Sequence, residues 1–139
     1  MFKKILVPVD LTPKNKKAIE IAVRIALSAK GKVYLLHVIE TIAHTSFSEF
    51  ESFYRKLEIS AERYIDKLIS PYKRKKLSIE GKIILGNRLA EILRFANENK
   101  VNLIVMNSHK LNIQEPTENW GTISYKIGIL SQCPVMLVK

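Results

Sequence analysis

Lys3-Lys4-Ile5-Leu6-Val7-Pro8-Val9-Asp10-Leu11-Thr12-Pro13 is the stretch whose reading decides the fold. An apolar run stops at a carboxylate, and two residues later Thr12-Pro13 gives a strong helix start. The hydroxyl caps free backbone N–H groups, and proline is tolerated at the first helical position. Ile5-Leu6-Val7 is apolar without alternation, as expected of a strand covered on both faces. An Asp at the carboxyl end of such a strand, beside a helix amino terminus, lies where open α/β sheets bind ligands.

Outward from this junction, strand and helix patterns alternate. Phe2–Val9 reads as the first strand and Pro13–Lys30 as a helix, with Ala18, Ala22, Ile25, Ala26 and Ala29 on one face and Gly31 as its stop. Lys32–Ile39 is a second buried strand. Phe47–Ser70 is a long helix whose inner face is Phe50, Phe53, Tyr54, Leu57, Ala61, Tyr64, Ile65 and Leu68. Lys76–Leu85 is the third strand, Gly86-Asn87 a turn, Arg88–Asn99 a helix and Val101–Met106 the fourth strand. A polar loop over Asn107–Asn119 leads to a last helix, Trp120–Ser131, and a fifth strand, Pro134–Val138. This order predicts an α/β fold: a doubly wound, five-stranded parallel sheet with helices on both faces, forming one domain over residues 1–139.

Composition narrows the function. The 139 residues are 47% hydrophobic and 26% charged, with a formal net charge of +10. No apolar run approaches the ~18 residues that span a bilayer, and no signal peptide is read, so neither a membrane association nor export is expected. One cysteine excludes an internal disulfide and fits a reducing, cytoplasmic setting. The Lys and Arg residues are spread along the chain; the one dense run, Lys73-Arg74-Lys75-Lys76, has no interleaved aromatics for stacking on bases. It reads as a solvated surface, and nucleic acid is not an expected partner. No His, Cys and carboxylate spacing suits a metal, and no nucleophile–base pair, Walker loop or nucleophile elbow is present.

Parallel strands bring their carboxyl ends to one edge. That edge collects Val9-Asp10, Val38-Ile39-Glu40 and Met106-Asn107-Ser108-His109, and the helix opened by Gly121-Thr122 brings its amino terminus there. A helix amino terminus attracts anions, and a glycine lets a phosphate approach the backbone. Apolar strand ends suit a flat base, and Asp10 suits an amine or a ribose hydroxyl. This is nucleotide-site chemistry, although Asp10 is also placed to cap the following helix in competition with Thr12. His37 reads as a satisfied core imidazole, His109 as a loop residue on the ligand edge, and Cys133 as a small buried hydrophobe.

Taken together, Val7-Pro8-Val9-Asp10 with Thr12, Leu36-His37-Val38, Leu103-Ile104-Val105-Met106 with Ser108-His109, Gly121-Thr122-Ile123-Ser124 and Cys133-Pro134-Val135 resemble the universal stress protein family in order and spacing. The resemblance implies an adenine-nucleotide α-hydrolase-like sheet in the order 3-2-1-4-5. It also implies a cytoplasmic homodimer paired through the C-terminal strand, Pro134 to Val138, and a regulatory or protective role under stress. Some members bind ATP. Carried over by position, adenine and ribose contacts fall on Val9, Asp10, Val38 and Met106, and phosphate contacts on Asn107, Lys110, Gly121 and Thr122.

The ATP-binding members carry a phosphate loop of the form G-x-x-G-x9-G-[ST], and here that loop is degenerate. Asn107 and Lys110 stand where the first two glycines would be, ten residues rather than nine separate Lys110 from Gly121, and Glu115 and Glu118 fall inside the loop. A side chain forced into the left-handed region costs about 1–2 kcal/mol, least for Asn. The expectation is therefore a stress-response interaction module that is not an enzyme, is without tight ATP dependence, and has a protein partner the sequence does not name. The alternative is a regulatory switch that binds ATP or another adenine nucleotide at the strand-end crevice.

Overall fold

The computed structural model describes residues 1–109, 114 and 122–139. Among them a five-stranded sheet runs in the order β3-β2-β1-β4-β5. Its strands are β1 (Lys4–Pro8), β2 (Lys32–Glu40), β3 (Ser78–Gly86), β4 (Leu103–Asn107) and β5 (Val135–Val138), and every pairing is parallel. The helices are α1 (Lys16–Ala29), α2 (Glu51–Ile69), α3 (Arg88–Glu98) and α4 (Ile123–Leu130). The expected architecture and strand order are both present.

Alternate residues of the central strands divide between two cores, as the two-residue period of a strand requires. Ile5, Val7, Val33, Leu35 and Val105 pack with Ala18, Ala22 and Ala26 of α1 and Ile65 and Ile69 of α2. Leu6, Tyr34, Leu36, Ile104 and Met106 pack on the other face with Ile92 and Phe95 of α3 and Ile127 of α4. Parallel strands covered on both faces carry unbroken apolar runs, which is why β1, β2 and β4 stand out in the sequence.

Several boundaries move. The first helix starts as a 3-10 turn over Pro13–Asn15, where Thr12 accepts a hydrogen bond from the Lys14 amide, before α1 proper. Its buried face is Ala18, Ile19, Ala22, Val23 and Ala26, with Ile25 and Ala29 only half-buried. The helix also ends differently from the expectation. Lys30 takes the left-handed conformation (φ 53°), while Gly31 is required for a different reason: a Cβ there would lie 2.6 Å from the Lys3 carbonyl oxygen. The long helix likewise begins with a 3-10 turn, Phe47–Phe50, and Phe53 is 49% exposed rather than inward. The Phe47 ring stacks on Tyr54 instead, with centroids 5.8 Å apart. The expected helix start at Trp120-Gly121 lies outside the described residues; Thr122 is the residue that precedes the first turn of α4.

Candidate functional site at the strand ends

The β1–α1 turn is built around Asp10. Its Oδ1 accepts hydrogen bonds from the Thr12 hydroxyl, from the Thr12 amide at 3.0 Å and from the Asn15 side-chain amide at 3.0 Å. Asn15 is buried and also donates to the Asp10 and Thr12 carbonyls at 2.6 and 2.9 Å. Three donors on one carboxylate oxygen fix this exposed side chain, and Oδ2 takes no hydrogen bond among the described residues. Asp10 thus organises the turn, and Thr12 rather than Asp10 caps the first helical turn. His37 holds the same strand end from the neighbouring strand, its Nδ1 2.9 Å from the Val9 carbonyl oxygen.

Beside this turn lies a narrow cleft of about 80 Å³. Val9, Asp10, Val38, Met106 and Asn107, placed at one edge by sequence alone, all line it. Val9, Val38 and Met106 are buried and form its apolar wall. Ile123, the first residue of α4, lines the opposite side, with Thr122 immediately before it. Lys110 and Gly121, the other two expected phosphate contacts, lie outside the described residues.

Two polar lining residues were missed by sequence reasoning, Asn15 and Arg88. Asn15 follows from the hydrogen-bond geometry of the turn, which no spacing rule exposes. Arg88 opens α3 just after Asn87, whose side chain caps the helix by accepting from the Ala90 amide at 3.0 Å. Its guanidinium sits 3.7 Å from the Glu40 carboxylate at the end of β2. The signal was available: β3 neighbours β2, so the end of β3 also reaches this edge.

The end of the cleft near the start of α4 carries hydroxyls, with a cation beyond them. Ser124 is buried, with its Oγ 3.0 Å from the Ser108 hydroxyl and 3.1 Å from that of Thr122. Among the described residues no side chain caps the first amides of α4, and a helix amino terminus carries the positive end of the helix dipole. The Lys139 ammonium lies over the Tyr125 ring, donates to the Tyr125 hydroxyl and reaches the His109 carbonyl at 3.3 Å. That Lys139 contact, helped by the Ser108 hydroxyl, draws the Tyr125 phenol below its ordinary pKa. Cys133 is half-buried, its sulfur 3.4 Å from the Ser131 hydroxyl.

A parallel sheet in this order, with an acidic turn at the end of β1 and a hydroxyl-lined helix start facing it, defines an α/β protein with a switch-point ligand cleft. Over residues 1–139 the sequence matches the universal stress protein family, and the chain belongs to that family. It is 29% identical to the universal stress protein YxiE of Bacillus subtilis (strain 168), the match covering 100% of both chains. Among solved structures it is similar to the hypothetical protein MJ0577, with a TM-score of 0.82, 26% identity, and coverage of 100% of this chain and 96% of that one. It also shares its fold with a universal stress protein solved in complex with cAMP, with a TM-score of 0.71, 14% identity, and coverage of 99% and 97%.

Proposed function

We propose that this universal stress protein is a homodimeric interaction module of the cytoplasm, joined through β5, that works without tight nucleotide binding and is not an enzyme. The observation that carries this is the size of the strand-end cleft. As bounded by the described residues, at about 80 Å³, it is smaller than the ~300–1,000 Å³ of ordinary small-molecule sites. Opening it for an adenylate means moving Met106, Ile92 or Ile123, all of which pack into the second core, and close-packed interiors resist such shifts. The departures from the glycine-rich phosphate loop at Asn107 and Lys110 work in the same direction.

Support for the dimer comes from apolar side chains exposed on α4 and β5. Ile129, Leu130 and Met136 are 81%, 54% and 38% exposed, and an open apolar strand edge invites pairing. Among the described residues no group of three His, Cys, Asp or Glu side chains is suited to a metal. No helix among them is long and apolar enough to cross a membrane.

Titration calorimetry at near-physiological salt with ATP, AMP and cAMP tests the reading. The expected result is no saturable heat up to about millimolar ligand, a binding free energy no better than about −4 kcal/mol. Micromolar binding of any of the three overturns it. The second reading, an adenine-nucleotide switch, is favoured by the exposed Asp10 carboxylate beside an apolar wall and by the relative solved with cAMP. On that reading Asp10→Ala abolishes whatever binding the calorimeter records.

A further inference from the structure

Helix α2 separates its charges into stripes. At about 100° per residue, Lys56, Arg63 and Lys67 fall within about 40° of one another, with Glu58 and Glu62 on the far side. The three cations line an open groove of about 470 Å³, whose apolar walls include Ile59 and Tyr64 from the same helix and Leu11 from the β1–α1 turn. Ile59 is 50% exposed and Leu11 37%.

None of the three cations forms an ion pair among the described residues, and no carboxylate lines the groove. Asp66 flanks the stripe without lining it. Arg55, on the same helix, shows the ordinary alternative: it pairs with Glu51 at 2.8 Å. Arg63 and Lys67 stand four residues apart, so their like charges slightly oppose the helix. The lining of the groove therefore holds three cations and no carboxylate, next to large apolar side chains that a solvated face does not need.

We propose that this groove docks an acidic, amphipathic segment of a protein partner, with carboxylates against Lys56, Arg63 and Lys67 and aliphatic side chains against Leu11, Ile59 and Tyr64. From Lys56 to Lys67 the helix rises about 16 Å, the length of roughly three turns of a docked helix. The concave shape and the apolar walls favour a peptide over a flat anionic bilayer or inorganic polyphosphate, neither of which uses both. The proposal rests on the interaction-module reading and adds the chemistry of the partner. It leaves the strand-end cleft and the β5 edge untouched.

The test is fluorescence anisotropy with a labelled synthetic peptide of about 14 residues, leucines at i, i+3, i+4 and i+7 and glutamates elsewhere, at about 0.15 M salt. Saturable binding is expected, weakened about tenfold or more by Arg63→Glu with Lys67→Glu and about fivefold by Ile59→Ser. All three side chains lie on an open groove, and circular dichroism confirms that the variants fold. Absence of saturable binding to about 1 mM peptide overturns the proposal, as does binding that the double variant leaves unchanged. Polyglutamate or polyphosphate binding equally well, with Ile59→Ser silent, also overturns it by reducing the groove to bare charge. Phosphatidylglycerol vesicles that bind the protein and are not displaced by the peptide overturn it in favour of a lipid surface. Light scattering on the same samples reports the dimer separately, so a failed groove is distinguishable from a failed module.

Discussion

The two edges of the sheet are opposites. β3 is long, and this edge strand carries half-exposed charges on one face of the sheet: Glu80 holds Lys32 of the neighbouring strand at 2.6 Å and Lys82 of its own strand at 2.7 Å. β5 is short and reads Val-Met-Leu-Val. Ile104 and Ser108 of the β4 side donate to the Pro134 and Val138 carbonyls, so the backbone groups of Val135 and Leu137 point outward. Charges on an exposed edge prevent pairing with another chain, and an apolar edge invites it. The same sheet thus protects one margin and offers the other.

The largest test of that contrast is at β5. Ile129→Lys with Met136→Lys places like charges on both copies of a twofold contact while changing only exposed side chains. The dimer, expected at twice 15.9 kDa, should weaken by about two orders of magnitude or more, a cost of about 3 kcal/mol. Sedimentation or light scattering across a dilution series reads this directly. A mass that does not change with the substitutions places the contact elsewhere.

Two glycines then compare packing near the two edges. Gly81 in β3 lies under α2, where an added Cβ would sit 2.3 Å from Ile65 Cγ2 and 3.2 Å from Ile69 Cδ1. Gly81→Ala should destabilise by about 1–2 kcal/mol, the overpacking cost less the small gain from a stiffer chain. Gly128 in α4 has nothing among the described residues within 4 Å of an added Cβ. There Gly128→Ala should stabilise by about 0.5–1 kcal/mol, as in any exposed helix interior. Urea denaturation measures both, and equal signs at the two sites would remove the contrast.

The sheet was legible because buried parallel strands advertise themselves. Ile5-Leu6-Val7 and Val33 to Ile39 admit no other reading once helices lie between them. The cleft was legible in outline for the same reason, since strand ends that share an edge bring Val9, Asp10, Val38 and Met106 together. What escaped depends on side-chain geometry. Phe53 fits the helical period of α2, yet the 3-10 turn before it lets Phe47 cover Tyr54 and leaves Phe53 outside. Asn15 looks like a surface residue and is buried because Asp10 and Thr12 need its amide. Lys30, not the glycine after it, takes the left-handed turn, because Gly31 is already committed to passing close to Lys3.

The smallest expected effect tests the protected edge itself. The Lys32 ammonium, and after it that of Lys82, lowers the Glu80 carboxyl from its ordinary 4.5 to about 2. A carboxylate with a depressed folded pKa contributes stability that is fully present above the unfolded value and is lost as pH falls through the folded one. The relevant window therefore runs from about 4.5 down to about 2. The Glu80 side chain is 39% exposed and Lys32 33%, so solvent and salt screen the pair and its contribution at neutral pH stays below about 1 kcal/mol. Glu80→Gln should lower stability by a few tenths of a kcal/mol at pH 6, and the difference from the parent should shrink towards zero as the pH approaches 2. Added salt of about 1 M should shrink it at any pH. A difference that persists undiminished in acid would mean that Glu80 acts through packing, and the β3 margin would then owe its protection to something other than charge.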